Sequence, residues 1–371
     1  MKKILFIISS LKRCGPVNIL FDIIKYVDGS KYTTHILTLR SEEDDSRWNE
    51  FVDLGSTVTK LDIRGGFLWI LSVLRLRAAV DRIQPDVLHC IGFRADFLAS
   101  LCLNKHKKLS SQLNFPFEDY VMTYGRVVGG GMAQLTAWAL KRHDVAVACA
   151  NDVAIRMAGH GVPCRVVYNA IDIELFTPPN PLERQNQRAK LGIPSDIKYV
   201  FIFVGVLTDR KQPLIALRAF LRFKEIHPDA ILLILGDGPE LKSCCELIQG
   251  VDGVVFAGRV SATLPYLIAS DAYIATSKAE GMPLSVVEGM AMRLPVVLSD
   301  IKPHQEILAI DPQAGVLART GSVDETFQAM IELVGSDLII RGAHARNIVE
   351  HELNSKVMSM KYQGIYAELM T

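Results

Sequence analysis

Short apolar runs rich in β-branched residues alternate with helical stretches along the chain, and the pattern stops once and then restarts. The first set of runs lies at 2–10, 33–40, 57–63, 87–92, 109–114, 145–150 and 165–169. Helical stretches at 17–28, 67–83, 94–104, 130–142 and 151–159 separate most of them. Strands that are apolar throughout and joined by helices imply a parallel sheet covered on both faces. A second set follows at 199–204, 230–235, 254–256, 272–275, 296–299 and 315–317. Helices at 212–225, 240–249, 264–270, 284–292 and 323–334 lie between these. Two such units in succession predict two α/β domains, and 371 residues suit two domains of ordinary size. Pro178, Pro179 and Pro181 mark the seam, because prolines so close together suit neither a helix interior nor a central strand. The expected organisation is a first domain over 1–170, a linker over 171–182, a second domain over 183–353 and a last helix within 354–371.

Composition narrows the class. Hydrophobic residues make up 49% of the chain and charged ones 22%, as in a well-buried globular protein. The formal net charge of +1 gives no global field to recruit nucleic acid. The densest basic run, Lys105 to Lys108, reads as a solvated face. Ile4 to Ile8 read as a buried strand and not as a secretory leader. Seven cysteines without a C-x-x-C read as small buried residues of a reducing compartment, so a cytoplasmic location is expected. No apolar stretch approaches the roughly 20 residues needed to cross a bilayer. The helix at 67–83, with Arg75, Arg77 and Arg82, allows peripheral contact with an anionic membrane surface. An ordinary packed helix explains it more simply.

The most informative motif is Glu280-Gly281-Met282-Pro283-Leu284-Ser285-Val286-Val287-Glu288. Proline is pre-shaped for a first helical turn, so a helix is expected to begin near Pro283. The first-turn amides and the positive end of the helix dipole then suit a phosphate. Glu280 sits ahead of that cradle and Glu288 on the helix behind it. Acceptors for sugar hydroxyls on either side of a phosphate site form a nucleotide-sugar geometry. Other motifs stand in order around it. They are Gly205-Val206-Leu207-Thr208-Asp209-Arg210-Lys211, Leu235-Gly236-Asp237-Gly238-Pro239-Glu240, Pro295-Val296-Val297 and Ser299 to Glu306. Near the start lie Arg13-Cys14-Gly15-Pro16-Val17-Asn18 and Asn114-Phe115-Pro116-Phe117-Glu118-Asp119-Tyr120.

Together these motifs resemble the retaining glycosyltransferases of family 4, the group 1 glycosyl transferases, and among them members that build bacterial surface polysaccharides. The resemblance covers nearly the whole chain. It implies the GT-B fold: two Rossmann-like domains facing a deep cleft, with the last helix crossing back to the first domain. Glu280 fits the first carboxylate of the family's E-x7-E element and is expected to hold the transferred sugar. Glu288 fits the second and is expected to hold the ribose. Gly281, Met282, Pro283 and Leu284 carry the turn against the donor, and Gly205 precedes the cationic loop. Lys211 matches the family lysine that stabilises the departing diphosphate. Arg210 is expected to supply the charge that Val206 lacks where the family has arginine. Arg259 and Val260 are expected to line the nucleobase pocket. Gly15 and Pro16, in the loop after the first strand, approach the diphosphate and the acceptor. Asn114, Glu118, Asp119 and Tyr120 are expected to hold the acceptor, with Phe117 to Tyr120 forming a loop. Glu118 or Asp119 as a helix cap is the simpler alternative.

The chain departs from the family at Val206 and in having no histidine after the strand at 109–114. His143 reads as a satisfied structural histidine, and the acidic run Glu42 to Asp45 as a solvated loop. Without D-x-D, H-E-x-x-H or a cysteine–histidine cluster, no metal and no cofactor are expected; Arg210, Lys211 and helix amides would take an ion's place. The expected reaction is transfer of a hexosyl or N-acetylhexosaminyl group, with retention, from a nucleotide sugar. The acceptor is a lipid-linked or soluble glycan, such as an O-antigen (lipopolysaccharide) or capsule repeat. A nucleotide-sugar epimerase of the same fold, or a non-catalytic sugar-nucleotide-binding partner, remain open alternatives. A dehydrogenase is disfavoured because no G-x-G-x-x-G follows the first strand.

Overall fold

A computed structural model describes residues 1–62 and 69–371. The chain divides into two compact units, one of Met1–Asn169 with Ser355–Thr371 and the other of Ala170–Asn354. The first holds a seven-stranded parallel sheet built from β1 (Lys2–Ile8), β2 (Tyr32–Thr38), β3 (Thr57–Lys60), β4 (Val87–Ile91), β5 (Lys108–Gln112), β6 (Val145–Ala148) and β7 (Cys164–Val166). Its strand order is β3-β2-β1-β4-β5-β6-β7. The second holds a six-stranded parallel sheet of β8 (Tyr199–Val204), β9 (Ala230–Leu235), β10 (Val254–Gly258), β11 (Ala272–Ala275), β12 (Val296–Ser299) and β13 (Gly315–Ala318), in the order β10-β9-β8-β11-β12-β13. Both are doubly wound. The order reverses between β1 and β4 in one sheet and between β8 and β11 in the other, and such switch points open a crevice at the carboxyl ends of the strands. Central strands are buried on both faces, Ile4 to Ile8 and Ala230 to Leu235 without a break, which explains their uninterrupted apolar sequence.

In the first unit Leu5, Ile7, Leu37, Leu88 and Cys90 pack against Leu76, Val80, Ala95 and Ala99. The last helix, Ser355–Leu369, docks on this sheet through polar contacts as well as burial. The Tyr366 hydroxyl lies 2.7 Å from His89 Nδ1, and Ser111 Oγ lies 2.7 Å from both His89 Nε2 and the Tyr362 hydroxyl. Ser355 Oγ donates to Asp22 Oδ2, and Gln363 Nε2 to the Tyr26 carbonyl. Burial drives the His89 imidazole down to about 3, so it is neutral in the folded chain.

Several local expectations are corrected. Gly15 and Pro16 open the helix Gly15–Lys25 and are not loop residues. Phe117 to Tyr120 lie in the first turns of Pro116–Leu140, where a loop was expected and helix only from 130. That helix breaks at Gly125 (φ 79°), and a Cβ on Gly129 would strike the Tyr120 carbonyl, so the two halves close on one another only through glycine. Pro181 starts the helix Pro181–Lys190, capped reciprocally by Asn180 and Glu183. Helices Trp48–Asp53, Lys302–Ile310 and Leu338–His351 also lie where none was expected.

In the second unit Phe201, Phe203, Phe220, Phe223, Ile234 and Met330 form the centre of the core. The loops at the carboxyl edge are tied strand to strand. Gly205 N donates to the Leu235 carbonyl, Leu207 N to Asp237 and Gly236 N to Gly258, at 2.9, 2.9 and 2.8 Å. Gly236 has φ 138°, and a Cβ there would collide with the Gly205 carbonyl. Gly236-Asp237-Gly238-Pro239 thus shapes the loop after β8.

Three outcomes are expected on chemical denaturation. Tyr366→Phe leaves His89 Nδ1 buried without its partner and lowers stability by about 1–3 kcal/mol. The His89 contribution is complete above its unfolded value of about 6.5 and is lost as pH falls toward 3, so stability measured at pH 5 lies below that at pH 7.5. Gly236→Ala costs about 2–3 kcal/mol through collision and backbone strain, whereas Gly159→Ala, with open space at its Cβ, costs under about 1 kcal/mol.

Candidate active site

The loops that leave β8 and β11, the two strands flanking the switch point of the second sheet, bring Arg210, Lys211 and Glu280 together. Lys211 Nζ lies 2.6 Å from Glu280 Oε1 and Arg210 Nη1 lies 3.5 Å from Glu280 Oε2. The Glu280 side chain is 7% exposed and that of Lys211 14%. Lys211 reaches the carboxylate by lying across Gly205, where a Cβ would come within 3.3 Å of its Cε. The Thr276 hydroxyl donates to the Lys211 and Gln212 carbonyls, Lys278 N to the Arg210 carbonyl at 2.7 Å, and Arg210 Nη1 to the Ala279 carbonyl. The two loops are one bonded unit.

Burial acts to raise the Glu280 carboxyl. The charges of Lys211 and Arg210, with hydrogen bonds from Lys211 and Ser277, outweigh it and hold the group below the usual carboxylate range. The site therefore carries a fixed carboxylate and two cations, a local excess of positive charge suited to an anion.

Leu284–Ala291 forms the expected helix, with Pro283 at its N-cap and no side chain capping it. Val286 N and Val287 N turn back to the Pro283 carbonyl at 3.0 and 3.2 Å. Among the described residues the amides of Leu284 and Ser285 meet no such acceptor, so they and the dipole face outward. Gly281, Met282 and Pro283 are buried around this turn. Gly289 lets the helix approach Tyr273, whose ring a Cβ would strike. Glu288, half-buried, accepts from the Thr263 hydroxyl at 2.8 Å. Arg259 is exposed and Val260 half-buried just beyond β10.

Sequence reasoning missed the layer beneath this site. Ser299 Oγ donates to the Ser277 carbonyl at 2.7 Å, and His304 Nδ1 stands 2.9 Å from the Ser299 carbonyl. His304 is fully buried, and burial takes it down to about 4, against the nearby Glu280 charge. Its Nδ1 proton goes to that carbonyl, and Nε2 has no partner among the described residues. The motif at Ser299 to Glu306 marked this segment without singling out its histidine.

The first unit has a cavity of about 660 Å³ at its own switch point. Pro16, Asn114, Asp119 and Tyr120 line it, with Arg40, Arg94 and Gln112. Glu118 lies elsewhere: its carboxylate pairs with Arg156 at 2.7 Å, and Arg156 also meets Asp152 at 3.4 Å. Gly15, at the adjoining helix start, is exposed. Glu42 is no solvated loop residue, since its Oε2 accepts from Leu11 N and Ser46 Oγ and braces the chain after β1. Both His143 ring nitrogens are buried, with no well-formed hydrogen bond among the described residues; burial lowers it to about 4, against the pull of the Asp96 backbone beside it.

His143, distant in sequence, comes together in space with Cys90 and Asp96, contrary to the reading that no such cluster exists. Ser110 Oγ and Gln112 Nε2 already donate to the two Asp96 oxygens, and burial keeps the Cys90 thiol protonated. This chemistry suits a buried polar network better than a cation. In the helix Trp69–Ile83, Leu76 and Val80 are committed to the core while Arg75, Arg77 and Arg82 are exposed. Phe67 and Leu68 lie outside the described residues. No helix among the described residues is long and apolar enough to cross a membrane.

Comparison with known proteins fits this geometry. Residues 198–336 match the family model for glycosyl transferases group 1, and residues 15–175 that for glycosyltransferase family 4. The O-antigen biosynthesis glycosyltransferase WclY of Escherichia coli is 24% identical over 99% of this chain and 98% of its own. An uncharacterized glycosyltransferase of Methanocaldococcus jannaschii is 34% identical over 51% of this chain, and the match spans 44% of that relative's length. Among solved structures, Anabaena HepE in complex with UDP and glucose superposes with a TM-score of 0.81 at 17% identity, covering 99% of this chain and 100% of that one. Sucrose-phosphate synthase from Thermosynechococcus elongatus superposes with a TM-score of 0.80 at 14% identity, covering 100% and 99%. At such identities the likeness is one of fold, and with the two parallel sheets it makes the architecture GT-B. Sequence models and fold agree that the chain is a glycosyltransferase and belongs to the group 1 glycosyl transferases of family 4.

Proposed function

We propose that the protein transfers a hexosyl or N-acetylhexosaminyl group from a UDP- or GDP-sugar to a hydroxyl of a lipid-linked polysaccharide precursor, such as an O-antigen or capsule repeat, with retention of configuration. The observation that carries this reading is the Arg210–Lys211–Glu280 constellation beside the uncapped start of Leu284–Ala291. A departing nucleoside diphosphate gains negative charge as its bond to the sugar breaks. Lys211, Arg210 and the helix amides are fixed beforehand to receive that charge, which is often the largest contribution to catalysis. Glu280, its orientation set by both cations, would accept from hydroxyls of the transferred sugar. Glu288 would accept from the ribose diol, and Arg259 and Val260 would flank the base. No enzymic nucleophile is needed if the leaving phosphate takes the acceptor proton on the same face.

The cavity of the first unit suits an acceptor, with Asn114, Asp119 and Tyr120 as polar contacts. Exposed Arg40 and Arg94 on its wall favour an anionic acceptor such as a polyprenyl diphosphate sugar. Such a substrate would hold the protein at a membrane surface as a peripheral partner. Relatives support this class. The Escherichia coli enzyme that matches 55% of this chain at 25% identity is a UDP-Gal:alpha-D-GlcNAc-diphosphoundecaprenol alpha-1,3-galactosyltransferase.

The test is transfer from a panel of UDP- and GDP-hexoses and N-acetylhexosamines to N-acetylglucosaminyl diphosphate on a phenoxyundecyl tail, with the product anomer read by proton NMR. An α-linked product from an α-linked donor is expected. Lys211→Met lowers kcat by about 10²–10³, and Arg210→Met by less, because its charge is the more exposed to solvent of the two. Turnover persists in excess chelator, since these cations supply the charge. Conversion of donor without acceptor would instead indicate an epimerase, and nucleotide binding without turnover a non-catalytic partner.

A further inference from the structure

Gln112, at the carboxyl end of β5, lines the cavity of the first unit but matches none of the family motifs. Its side chain is almost fully buried, at 5% exposure. Its Nε2 donates to Asp96 Oδ2 at 3.1 Å and to Ser110 Oγ at 2.9 Å. The Ser110 hydroxyl donates in turn to Asp96 Oδ1 at 2.6 Å, so its proton is used and its oxygen is left to accept. Both amide hydrogens of Gln112 are thereby committed to acceptors, and while Asp96 is ionised the amide cannot turn over without setting its carbonyl against a carboxylate oxygen. The backbone carbonyl of Gln112 is occupied by Cys149 N at 3.1 Å. Oε1 meets no protein donor among the described residues and is not sealed away as a buried orphan. It is the one acceptor that this side chain offers to the cavity.

We propose that Gln112 recognises the glycan acceptor through its carbonyl oxygen, accepting a hydrogen bond from an acceptor hydroxyl, and that Asp96 is the buried positioning residue that fixes this orientation. The inference rests on the reading of the cavity as an acceptor site. Asp96 is fully enclosed, does not itself line the cavity, and meets it through the Gln112 side chain. Burial lifts it to about 7, against the pull of the Ser110 and Gln112 hydrogen bonds. Protonated or not, Oδ2 keeps a lone pair for the Gln112 amide, and Ser110 supplies a second clamp. A side chain held this way selects a donor group on the substrate. An acceptor lacking the hydroxyl leaves Oε1 without a partner.

Transfer to the phenoxyundecyl diphosphate N-acetylglucosamine probe tests this with Gln112→Met, Asp96→Asn, Ser110→Ala and the double variant Gln112→Met/Asp96→Asn. Gln112→Met is expected to raise the acceptor KM about three- to tenfold, with donor KM and kcat at saturating acceptor unchanged. Asp96→Asn and Ser110→Ala raise the acceptor KM in the same direction, and Asp96→Asn adds nothing further in the Gln112→Met background. An unchanged acceptor KM in Gln112→Met overturns the proposal. So does an additive effect of Asp96→Asn, which would make it a packing residue only. Should Asp96→Asn fail to fold, Gln112→Met and Ser110→Ala decide the matter. Absence of transfer by the wild type, with calorimetric binding of nucleotide intact, overturns the acceptor reading itself, and this inference falls with it.

Discussion

A carboxylate buried between two cations organises the second unit. An ionised glutamate as enclosed as Glu280 is costly unless charge and hydrogen bonds replace its water. Lys211 at 2.6 Å and Arg210 at 3.5 Å replace it, and in doing so they fasten the loop after β8 to the loop after β11. Those strands are neighbours only because the sheet reverses its order there. Sheet topology, loop conformation and site charge are therefore one constraint seen at three scales. The backbone contacts between the two loops, Lys278 N to the Arg210 carbonyl among them, act in the same direction.

The layers around that pair follow from it. Lys211 can lie across the chain because position 205 has no side chain, and Gly205 is itself held down by the turn at Gly236. Beneath Glu280 the Ser277 carbonyl accepts from Ser299, which stands beside His304. Each contact is an ordinary hydrogen bond, and together they leave the carboxylate little room to move. A preorganised site of this kind spends no reorganisation energy when charge develops on a leaving group. The first unit repeats the logic with a buried carboxyl and uncharged partners. Asp96 and Ser110 lock an amide at the edge of a cavity, again where a parallel sheet reverses its order.

Much of this was legible in the sequence, for physical reasons. Parallel strands covered on both faces must be apolar throughout, so nearly every strand stood out by composition alone. Glu280, Glu288, Arg210 and Lys211 were visible because short local motifs carry them. Helix starts were harder. Gly-Pro at 15 and 16 and Asn-Phe-Pro at 114–116 read equally well as turns, since proline serves both a loop and a first helical turn. Asn180 and Glu183 did spell a capping box, which the neighbouring prolines obscured. What no local pattern could reveal were the long-range polar contacts. Asp96 meets Gln112, His89 meets Tyr366, and His143 comes beside Asp96 only through tertiary packing. Glu42 resembled any acidic surface residue until the chain after β1 folded over it.

The central claim is that the loops after β8 and β11, with the helix Leu284–Ala291, hold a nucleoside diphosphate. Calorimetric titration of the pure protein with UDP and with GDP, beside Lys211→Ala and Glu288→Ala, tests it most directly. The account predicts that one of the two nucleotides binds the wild type and that both substitutions weaken it. Binding that neither substitution alters, or no binding of either nucleotide to the folded protein, would contradict it.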